Sequence, residues 1–478
     1  MNYGIIIHII GSVLNFEAAF MLPALITALL YKEKAGYSLL ITILLCLLCG
    51  ILLTRKKVKS KSMYAREGFV AVALCWIVLS AFGALPFVIS GSIPSYIDAL
   101  FEVVSGFTTT GSSILPEVES MPKCLLFWRS FTHWIGGMGV LVLVMAILPL
   151  AGGSTMYLMK AESPGPSVGK LVPKVKSTAM LLYKMYVGLS VLQLILLLLG
   201  GMPVFDALTT MFGTAGTGGF GIKNDSIGGY STYLQVVVTV FMILFGVNFN
   251  FYYLLLRKRY KEAAHSGEVW TYLGIILAAI ILITLNVSSM FPSGAKALQQ
   301  AAFQVGSIIT TTGFATTDFE LWPQFSKMIL VLLMFVGACA GSTGGGIKVS
   351  RIILLFKSIL KELDFIVHPH NVRKVKLDGR LVEHTVMRAV NVFVVLYLFI
   401  FAGSVLLISL DNFDFTTNFT AVAATINNIG PGLSMVGPTG NFGQFSDFSK
   451  LVLTFDMLVG RLELFPILIL FSKNTWRK

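Results

Sequence analysis

Long apolar stretches alternate with short polar segments along almost the whole chain. The first two cover about residues 4–30 and 37–54, and a basic segment, residues 55–66, follows them. A helix needs roughly 20 apolar residues to cross a bilayer. Later stretches of this length come in four pairs, near 68–90 and 125–150, 179–200 and 230–256, 269–290 and 326–357, and 387–409 and 449–472. The pattern therefore predicts ten transmembrane helices.

Each pair encloses a shorter apolar segment that is too short to cross the bilayer. These segments cover residues 94–108, 203–216, 297–310 and 414–427. Apolar segments of about 10–14 residues are often re-entrant, and irregular backbone at membrane depth is tolerated where protein buries it or where it lines a water-filled path. We therefore expect an all-α membrane protein with four re-entrant pore helices, in four pseudo-repeated units around one pore.

The repeat also divides the chain into five parts. We expect two leading transmembrane helices and a basic cytoplasmic loop in the first part, and one pore unit in each of the other four. The boundaries are 1–66, 67–178, 179–267, 268–385 and 386–478.

Composition and charge agree with this organisation. Hydrophobic residues make up 55% of the chain and charged residues 12%, whereas soluble domains carry about 25% charged residues. The net charge of +13 is concentrated near residues 55–61, 257–261, 373–380 and 473–478. With both termini cytoplasmic, loops 55–66, 151–178, 257–268 and 358–385 are all cytoplasmic, as the positive-inside rule requires. We therefore expect a multi-pass protein surrounded by membrane lipid, and no nucleic-acid partner.

Five cysteines are present, and Cys46 and Cys49 form a C-x-x-C pair. In a soluble protein this spacing would suggest a metal or redox site. Here it lies within an apolar stretch and has no second pair of ligands, so we expect both side chains to pack against neighbouring helices.

A glycine turn follows each short segment in the same register. Asp98, Asp206, Gln300 and Thr417 each lie thirteen residues before the final glycine of a turn. Glycine allows successive carbonyls to face one side, and a ring of carbonyls can replace the hydration shell of a potassium ion. Four unrelated glycine turns at helix ends are the alternative, and the shared register argues against it. The predicted potassium-binding residues are Thr109, Thr110 and Gly111 (turn 1), Thr217, Gly218 and Gly219 (turn 2), Thr311, Thr312 and Gly313 (turn 3), and Asn428, Ile429 and Gly430 (turn 4).

Two more features interrupt apolar stretches. Residues 337–346, "GACAGSTGGG", contain five glycines and cannot sustain a helix. We call this segment the glycine loop. It does not match a phosphate-binding G-x-x-x-x-G-K-[ST] motif, because Ile347 separates Gly346 from Lys348. It is either a passive kink or a mobile loop in the pore.

The second feature is Arg461, a charged residue inside an apolar stretch. Such a residue usually faces a cavity or a partner. Asp456 and Glu463 are candidate ion-pair partners, but their spacing does not place them on the same helical face as Arg461. We therefore favour a pore-facing arginine that raises the barrier for cations.

Several segments resemble the potassium-translocating subunits of the Trk/Ktr/HKT superfamily. They are "DALFEVVSGFTTTG", "FDALTTMFGTAGTGGF", "SIITTTGF", "TAVAATINNIGPG", "GACAGSTGGGIKVSR" and "VGRLELFP". The two leading helices resemble the TrkH-like branch. The resemblance covers essentially the whole chain and implies potassium uptake across the cytoplasmic (inner) membrane through a channel-like pore. Gly111, Gly219, Gly313 and Gly430 would be the filter glycines.

The resemblance also implies a gate and partners. The gate would comprise an intramembrane loop and a pore arginine, which here are Gly341, Ser342, Thr343, Gly344, Gly345, Gly346, Lys348 and Arg461. The implied partners are a second copy of the chain, in a homodimer, and a cytosolic ring of nucleotide-binding regulatory subunits.

Other functions remain as alternatives. The nearest is a pathway for sodium or for monovalent cations with poor selectivity. A polytopic membrane enzyme is more remote, because the six histidines are dispersed and no H-E-x-x-H or G-x-S-x-G motif is present. We therefore expect no enzymatic activity and no organic cofactor, with K⁺ as the transported ion.

Overall fold

The computed structural model describes residues 1–55, 64–137, 139, 175–370, 374–378 and 380–477. Most of the predicted loops 55–66 and 151–178, and the second half of the predicted helix 125–150, lie outside these residues. In the described part, six helical stretches are long and apolar enough to cross a membrane. Their helices are Tyr3–Tyr31, Gly36–Thr54, Ala65–Gly83 with Leu85–Ile89, Val175–Leu199, Gly267–Val287 and His384–Ile408.

Four short helices occupy the predicted short segments. Short helices 1 to 4 are Tyr96–Phe107, Val204–Gly216, Gly294–Ile309 and Phe415–Ile426. Side chains cap the N-terminus of three of them, because Ser95, Ser293 and Asp414 each accept a hydrogen bond from a backbone amide three residues later. The predicted boundaries are correct to within three residues.

The remaining regular structure consists of helices that do not meet these criteria on their own, and of single turns. The α-helices are Lys123–Gly137, Thr232–Phe245, Phe249–Leu256, Tyr260–Ala264, Gln324–Val336, Val349–Val367, Asp447–Arg461, Phe465–Leu468 and Lys473–Trp476. Single 3₁₀ turns lie at Ser288–Met290, Phe319–Leu321, Ser409–Asp411, Ser434–Val436 and Ile469–Phe471. Among the described residues, the regular structure is helical apart from one small antiparallel hairpin, in which Lys376–Leu377 pairs with Arg380–Leu381.

The second apolar stretch of units 2, 3 and 4 is broken. In unit 2, Thr232–Phe245 and Phe249–Leu256 meet at an angle of 91°. In unit 3 the glycine loop separates two helices, as the sequence indicates, and in unit 4 the helix ends at Arg461. Six of the described helical stretches are long and apolar enough to span a membrane, and the number is seven if the bent pair of unit 2 is counted as one span. The count of ten therefore stays a prediction.

The two unexpected breaks have different surroundings. At Gly246 a side chain would meet the Tyr272 hydroxyl at 2.3 Å, and Asn248 then caps the next helix through its side chain. After Arg461, Glu463 and Leu464 both have positive φ. The amide of Phe465 donates to the Glu463 carbonyl at 2.8 Å, which closes a tight three-residue turn.

The short helices pack in a cyclic order. Short helix 2 packs against Lys123–Gly137 of unit 1, short helix 3 against Thr232–Phe245 of unit 2, and short helix 4 against Gln324–Val336 of unit 3. Short helix 1 closes the cycle against Asp447–Arg461 of unit 4. Each short helix also packs against the long first helix of its own unit. The leading helix Tyr3–Tyr31 lies outside this cycle and packs against Gly36–Thr54, Ala65–Gly83 and Lys123–Gly137.

Candidate ion-binding site

All four short helices end in the same backbone motif. The residue two places before the final glycine has a left-handed φ of 54° to 59° in every unit: Thr109, Thr217, Thr311 and Asn428. The next residue donates its amide to the carbonyl five positions earlier at 2.8 Å in every unit. These are the bonds of a Schellman helix end, which usually has glycine where three of these units have threonine. A β-branched residue with positive φ is strained, and such strain is often stored at functional sites.

The four turns form a closed ring. A Cβ atom on Gly111 would lie 2.0 Å from the carbonyl oxygen of Gly218, and one on Gly219 would lie 1.9 Å from that of Thr312. A Cβ on Gly313 would lie 2.1 Å from the Ile429 oxygen. The Gly430 position closes the ring at 3.0 Å from the Thr110 oxygen. Each glycine therefore leaves the space that a carbonyl of the next turn occupies.

The ring contains all the residues that the sequence predicts for potassium binding. The C-terminal ends of all four short helices meet there, and each carries a partial negative charge. The oxygens of backbone carbonyls and threonine hydroxyls are ligands of the kind that a weakly hydrated cation prefers. The arrangement therefore favours a cation over an anion.

A buried histidine supports turn 2 from behind. The Phe220 amide donates to His133 Nε2 at 3.2 Å, so His133 Nδ1 carries the proton and donates to the Gly106 carbonyl at 2.7 Å. The imidazole of His133 is thus neutral, and it links short helix 1 to turn 2. A side chain on Gly218 would meet the imidazole at 2.3 Å.

A buried ion pair supports turn 1. Arg129 Nε lies 2.6 Å from Glu102 Oε1, and both side chains are almost fully buried. The carboxylate also accepts from Ser113 Oγ and the Ile114 amide, both at 2.9 Å. Arg129 further donates to the Gly221 carbonyl at 3.0 Å and lies over the Phe220 ring. This network joins the segments that follow turns 1 and 2.

The glycine loop contacts units 2, 3 and 4 next to the ring. The Gly345 amide donates to Thr311 Oγ1 at 2.6 Å, and the Gly346 amide donates to the Asn427 carbonyl at 3.0 Å. Thr343 Oγ1 donates to the Phe245 carbonyl at 3.2 Å.

The two ends of the glycine loop are also held. Glu268 accepts from the Ala340 amide at 2.6 Å and from the Ser350 amide at 3.2 Å, one on each side of the predicted gate residues. Lys348 has a φ of 83°, and its ammonium group donates to the Gly344 carbonyl within the loop. The loop is therefore held by hydrogen bonds at both of its ends and within it.

Arg461 joins the glycine loop to unit 1. Its guanidinium donates to the Thr343 carbonyl at 2.9 Å, and to the carbonyls of Gly136 at 2.6 Å and Gly137 at 2.9 Å. With these bonds, the loop and Arg461 together contact all four units.

The two carboxylates that the sequence offers as partners of Arg461 have other contacts. Glu463 pairs with Arg351, through both of its oxygens, and Asp456 accepts from Ser404 Oγ at 2.7 Å. The arginine side chain points towards the loop and unit 1, and its position in a pore stays a prediction.

Several residues of this site are missing from the sequence predictions. Glu102, Arg129 and Glu268 lie within or next to apolar stretches, where a charged residue is costly. The presence of these charges in apolar stretches is a signal that the sequence offers, but the residue that each of them contacts is distant in sequence. Asn248, the N-cap of the helix Phe249–Leu256, donates to Glu268 Oε2 at 3.4 Å.

Comparison with known proteins identifies the family. Residues 37–478 match the family model TrkH, described as a cation transport protein. The chain belongs to the TrkH family. Because this is a family of transport proteins, the prediction that the chain is not an enzyme is confirmed. With the apolar helices, membership makes it a multi-pass membrane protein.

Similar proteins cover the full length of the chain. The Trk system potassium uptake protein TrkH of Salmonella typhimurium is 38% identical over 486 residues, with 100% of both chains covered. The Trk system potassium uptake protein TrkG of Escherichia coli K12 is 36% identical and covers 99% of this chain. The crystal structure of the potassium transporter TrkH from Vibrio parahaemolyticus superposes with a TM-score of 0.89 at 35% identity, and covers 100% of both chains. The resemblance to the Trk/Ktr/HKT superfamily is thereby confirmed.

Proposed function

We propose that this protein takes up potassium across the cytoplasmic membrane through a channel-like pore. The observation that carries the proposal is the closed ring, in which each glycine accommodates a carbonyl of the next turn. The full-length relatives that are named potassium uptake proteins support the same ion. In this proposal the four turns are the selectivity filter, and potassium binds at the predicted residues of turns 1 to 4.

The proposal includes ten transmembrane helices, both termini in the cytoplasm and four pore units with the boundaries given above. The cyclic packing of the short helices against the preceding unit supports this division. The short helices would be re-entrant pore helices, because each is too short to span and ends in a turn at the ring.

The glycine loop and Arg461 form the gate in this proposal. The gate residues are those predicted from the sequence, residues 341–346 with Lys348 and Arg461. A fixed guanidinium charge beside the ring raises the energy of a permeant cation. The bonds from the loop to units 2, 3 and 4 support a closed state, which opens when the loop moves away from the ring.

The proposal extends to partners of the membrane subunit. The relatives are named as parts of a Trk system. We include a homodimer and a cytosolic ring of nucleotide-binding subunits, which would dock on the basic inner face. Arg257, Lys258, Arg259 and Lys261 lie between the helices Phe249–Leu256 and Gly267–Val287, in a segment predicted to lie on that face.

Ion flux through purified protein in liposomes tests the proposed function. A potassium gradient should drive potassium flux that exceeds sodium flux under a matched sodium gradient. Equal fluxes would favour the alternative of a poorly selective cation pathway. Protein-free liposomes give the background, and flux at that background in folded protein would contradict a transport function.

A further inference from the structure

The junction between turn 4 and turn 1 differs from the other three. A Cβ atom on Gly430 would lie 3.0 Å from the carbonyl of turn 1, whereas the other three distances are 1.9 to 2.1 Å. The φ angle of Gly430 is 105°, against 74° to 82° for the other glycines. Gly430 is also buried, while the other three are partly exposed. The ring therefore has three similar junctions and one wider junction, at which the glycine leaves more space beside the carbonyl of the next turn. We call this junction, between turn 4 and turn 1, the 4–1 junction.

A serine hydroxyl bridges the wider junction. Ser112 Oγ donates to the Gly430 carbonyl at 2.9 Å, and the serine is buried. The residue after the glycine is Phe220, Phe314 or Pro431 in the other turns, and none of these has a hydroxyl. A carbonyl oxygen has two acceptor positions, so this bond fixes the Gly430 carbonyl and leaves one position for a cation.

An amide side chain makes the second bridge. Asn428 Nδ2 donates to Thr110 Oγ1 and to the Met457 carbonyl, both at 2.9 Å. Because a carbonyl accepts only, the bond to Met457 fixes which end of the amide faces turn 1.

The bridge from Asn428 continues into short helix 1. Thr110 Oγ1 lies 2.8 Å from Thr108 Oγ1, which donates to the Val104 carbonyl at 2.6 Å. Thr110 is therefore the donor to Thr108 and the acceptor from Asn428. A directed chain of hydrogen bonds thus runs from turn 4 into short helix 1, and turns 1 to 3 have threonine where turn 4 has this asparagine.

We propose that Ser112 and the Asn428 side chain are positioning residues that fix the 4–1 junction and thereby set the preference for potassium over sodium. The inference rests on the proposed function. Whether selection depends on cavity size or on the number and orientation of carbonyl dipoles, it depends on ring geometry. Without the two bridges, the wider junction relaxes and the ring adapts to the smaller ion.

The ratio of potassium to sodium flux in liposomes tests the role of Ser112, with full-length protein. Ser112→Ala should lower the ratio about fivefold, the factor that one net hydrogen bond contributes to an equilibrium. Ser112→Thr keeps the hydroxyl and should restore the ratio. Ser105→Ala is the matched control, because Ser105 is a buried serine of short helix 1 whose hydroxyl has no hydrogen-bond partner among the described residues. It should leave the ratio unchanged.

Asn428→Thr provides a second, independent variant. It introduces the residue that turns 1 to 3 tolerate at the same positive φ, so the fold should persist while the bridge to Thr110 is lost. The flux ratio should fall here too. If the unmodified protein selects potassium and both Ser112→Ala and Asn428→Thr keep its ratio, the inference is overturned and the proposed function stands. If the unmodified protein carries no potassium, the proposed function fails and the inference falls with it.

Discussion

The backbone amide of Gly345 donates a hydrogen bond to Thr311 Oγ1 at 2.6 Å, and this contact joins the glycine loop to turn 3. The acceptor is the strained threonine with positive φ in turn 3. The same residue therefore helps to shape the ring and to hold the loop beside it, so a change in loop position acts directly on the ring.

Replacement of Thr311 by valine should increase flux. Thr311→Val keeps the shape and the β-branch but removes the acceptor for Gly345, so the docked loop loses one hydrogen bond. Flux in liposomes should rise about fivefold if loop release limits it. Thr217→Val is the control, because Thr217 Oγ1 bonds only to the adjacent Gly216 carbonyl among the bonds described. An equal change in both variants would argue against loop release as the cause.

Replacement of Arg461 separates a gating role from a structural one. Arg461→Ala removes the positive charge and the hydrogen bonds to the carbonyls of Thr343, Gly136 and Gly137, so cation flux should rise about tenfold or more. Arg461→Lys keeps the charge but lacks the planar fork, and should give a smaller rise. Flux and melting temperature are measured on one preparation. A lower melting temperature with no gain in flux would show that Arg461 is needed for the fold alone.

The buried pair behind turn 1 should contribute strongly to stability. Glu102→Gln leaves the Arg129 charge buried without its partner, which typically costs about 3–5 kcal/mol. Glu262→Gln is the control, because its pair with Arg259 is exposed and is worth less than about 1 kcal/mol. Melting temperatures in detergent compare the two variants. Similar small losses in both would mean that the Glu102–Arg129 pair is not a major stabilising contact.

The cap of short helix 4 predicts a pH dependence at the acid end. The hydrogen bond from the Thr417 hydroxyl lowers the pKa of Asp414 below its ordinary value of 3.8. A lowered pKa in the folded state means that the charged form stabilises the fold above pH 3.8. This contribution is lost as the pH falls through the lower, folded value.

Asp414→Asn should remove the pH dependence at this position, because asparagine caps the helix without titrating. Melting curves between pH 5 and 3 should therefore be steeper in the unmodified protein than in Asp414→Asn. Parallel curves would contradict an ionised cap. The variant Asp447→Asn, which changes another exposed carboxylate, controls for the loss of one surface charge.

The repeat in this chain could be predicted from its sequence, because the signal is local. The short helices follow from apolar segments of fixed length, and the glycines fix the register of the turns. The break at Gly246 could not be predicted, because it depends on contacts with distant residues. The break after Arg461 could not be predicted either, because its turn places two residues other than glycine at positive φ. The Tyr272 hydroxyl fills the space at Gly246, and the glycine loop bonds to the backbone that this break leaves free.

The pairs that the charged side chains form could not be predicted from the sequence either. Glu463 is a candidate partner of Arg461 in the sequence. In the structure Glu463 lies in the tight turn at Leu464, and its carboxylate pairs with Arg351. Glu102 and Arg129 meet because short helix 1 packs against Lys123–Gly137. Such pairs depend on tertiary packing, which no local pattern in the chain specifies.

The ratio of potassium to sodium flux in Gly111→Ser tests the central claim most directly. The new Cβ would lie 2.0 Å from the Gly218 carbonyl, so this carbonyl must move and the preference for potassium should fall. Gly91→Ser is the matched control, because Gly91 has a similar φ of 75° but open space where a Cβ would lie. The account predicts a lower ratio in Gly111→Ser and the original ratio in Gly91→Ser. A folded Gly111→Ser protein with an unchanged ratio would contradict the assignment of the ring as a selectivity filter.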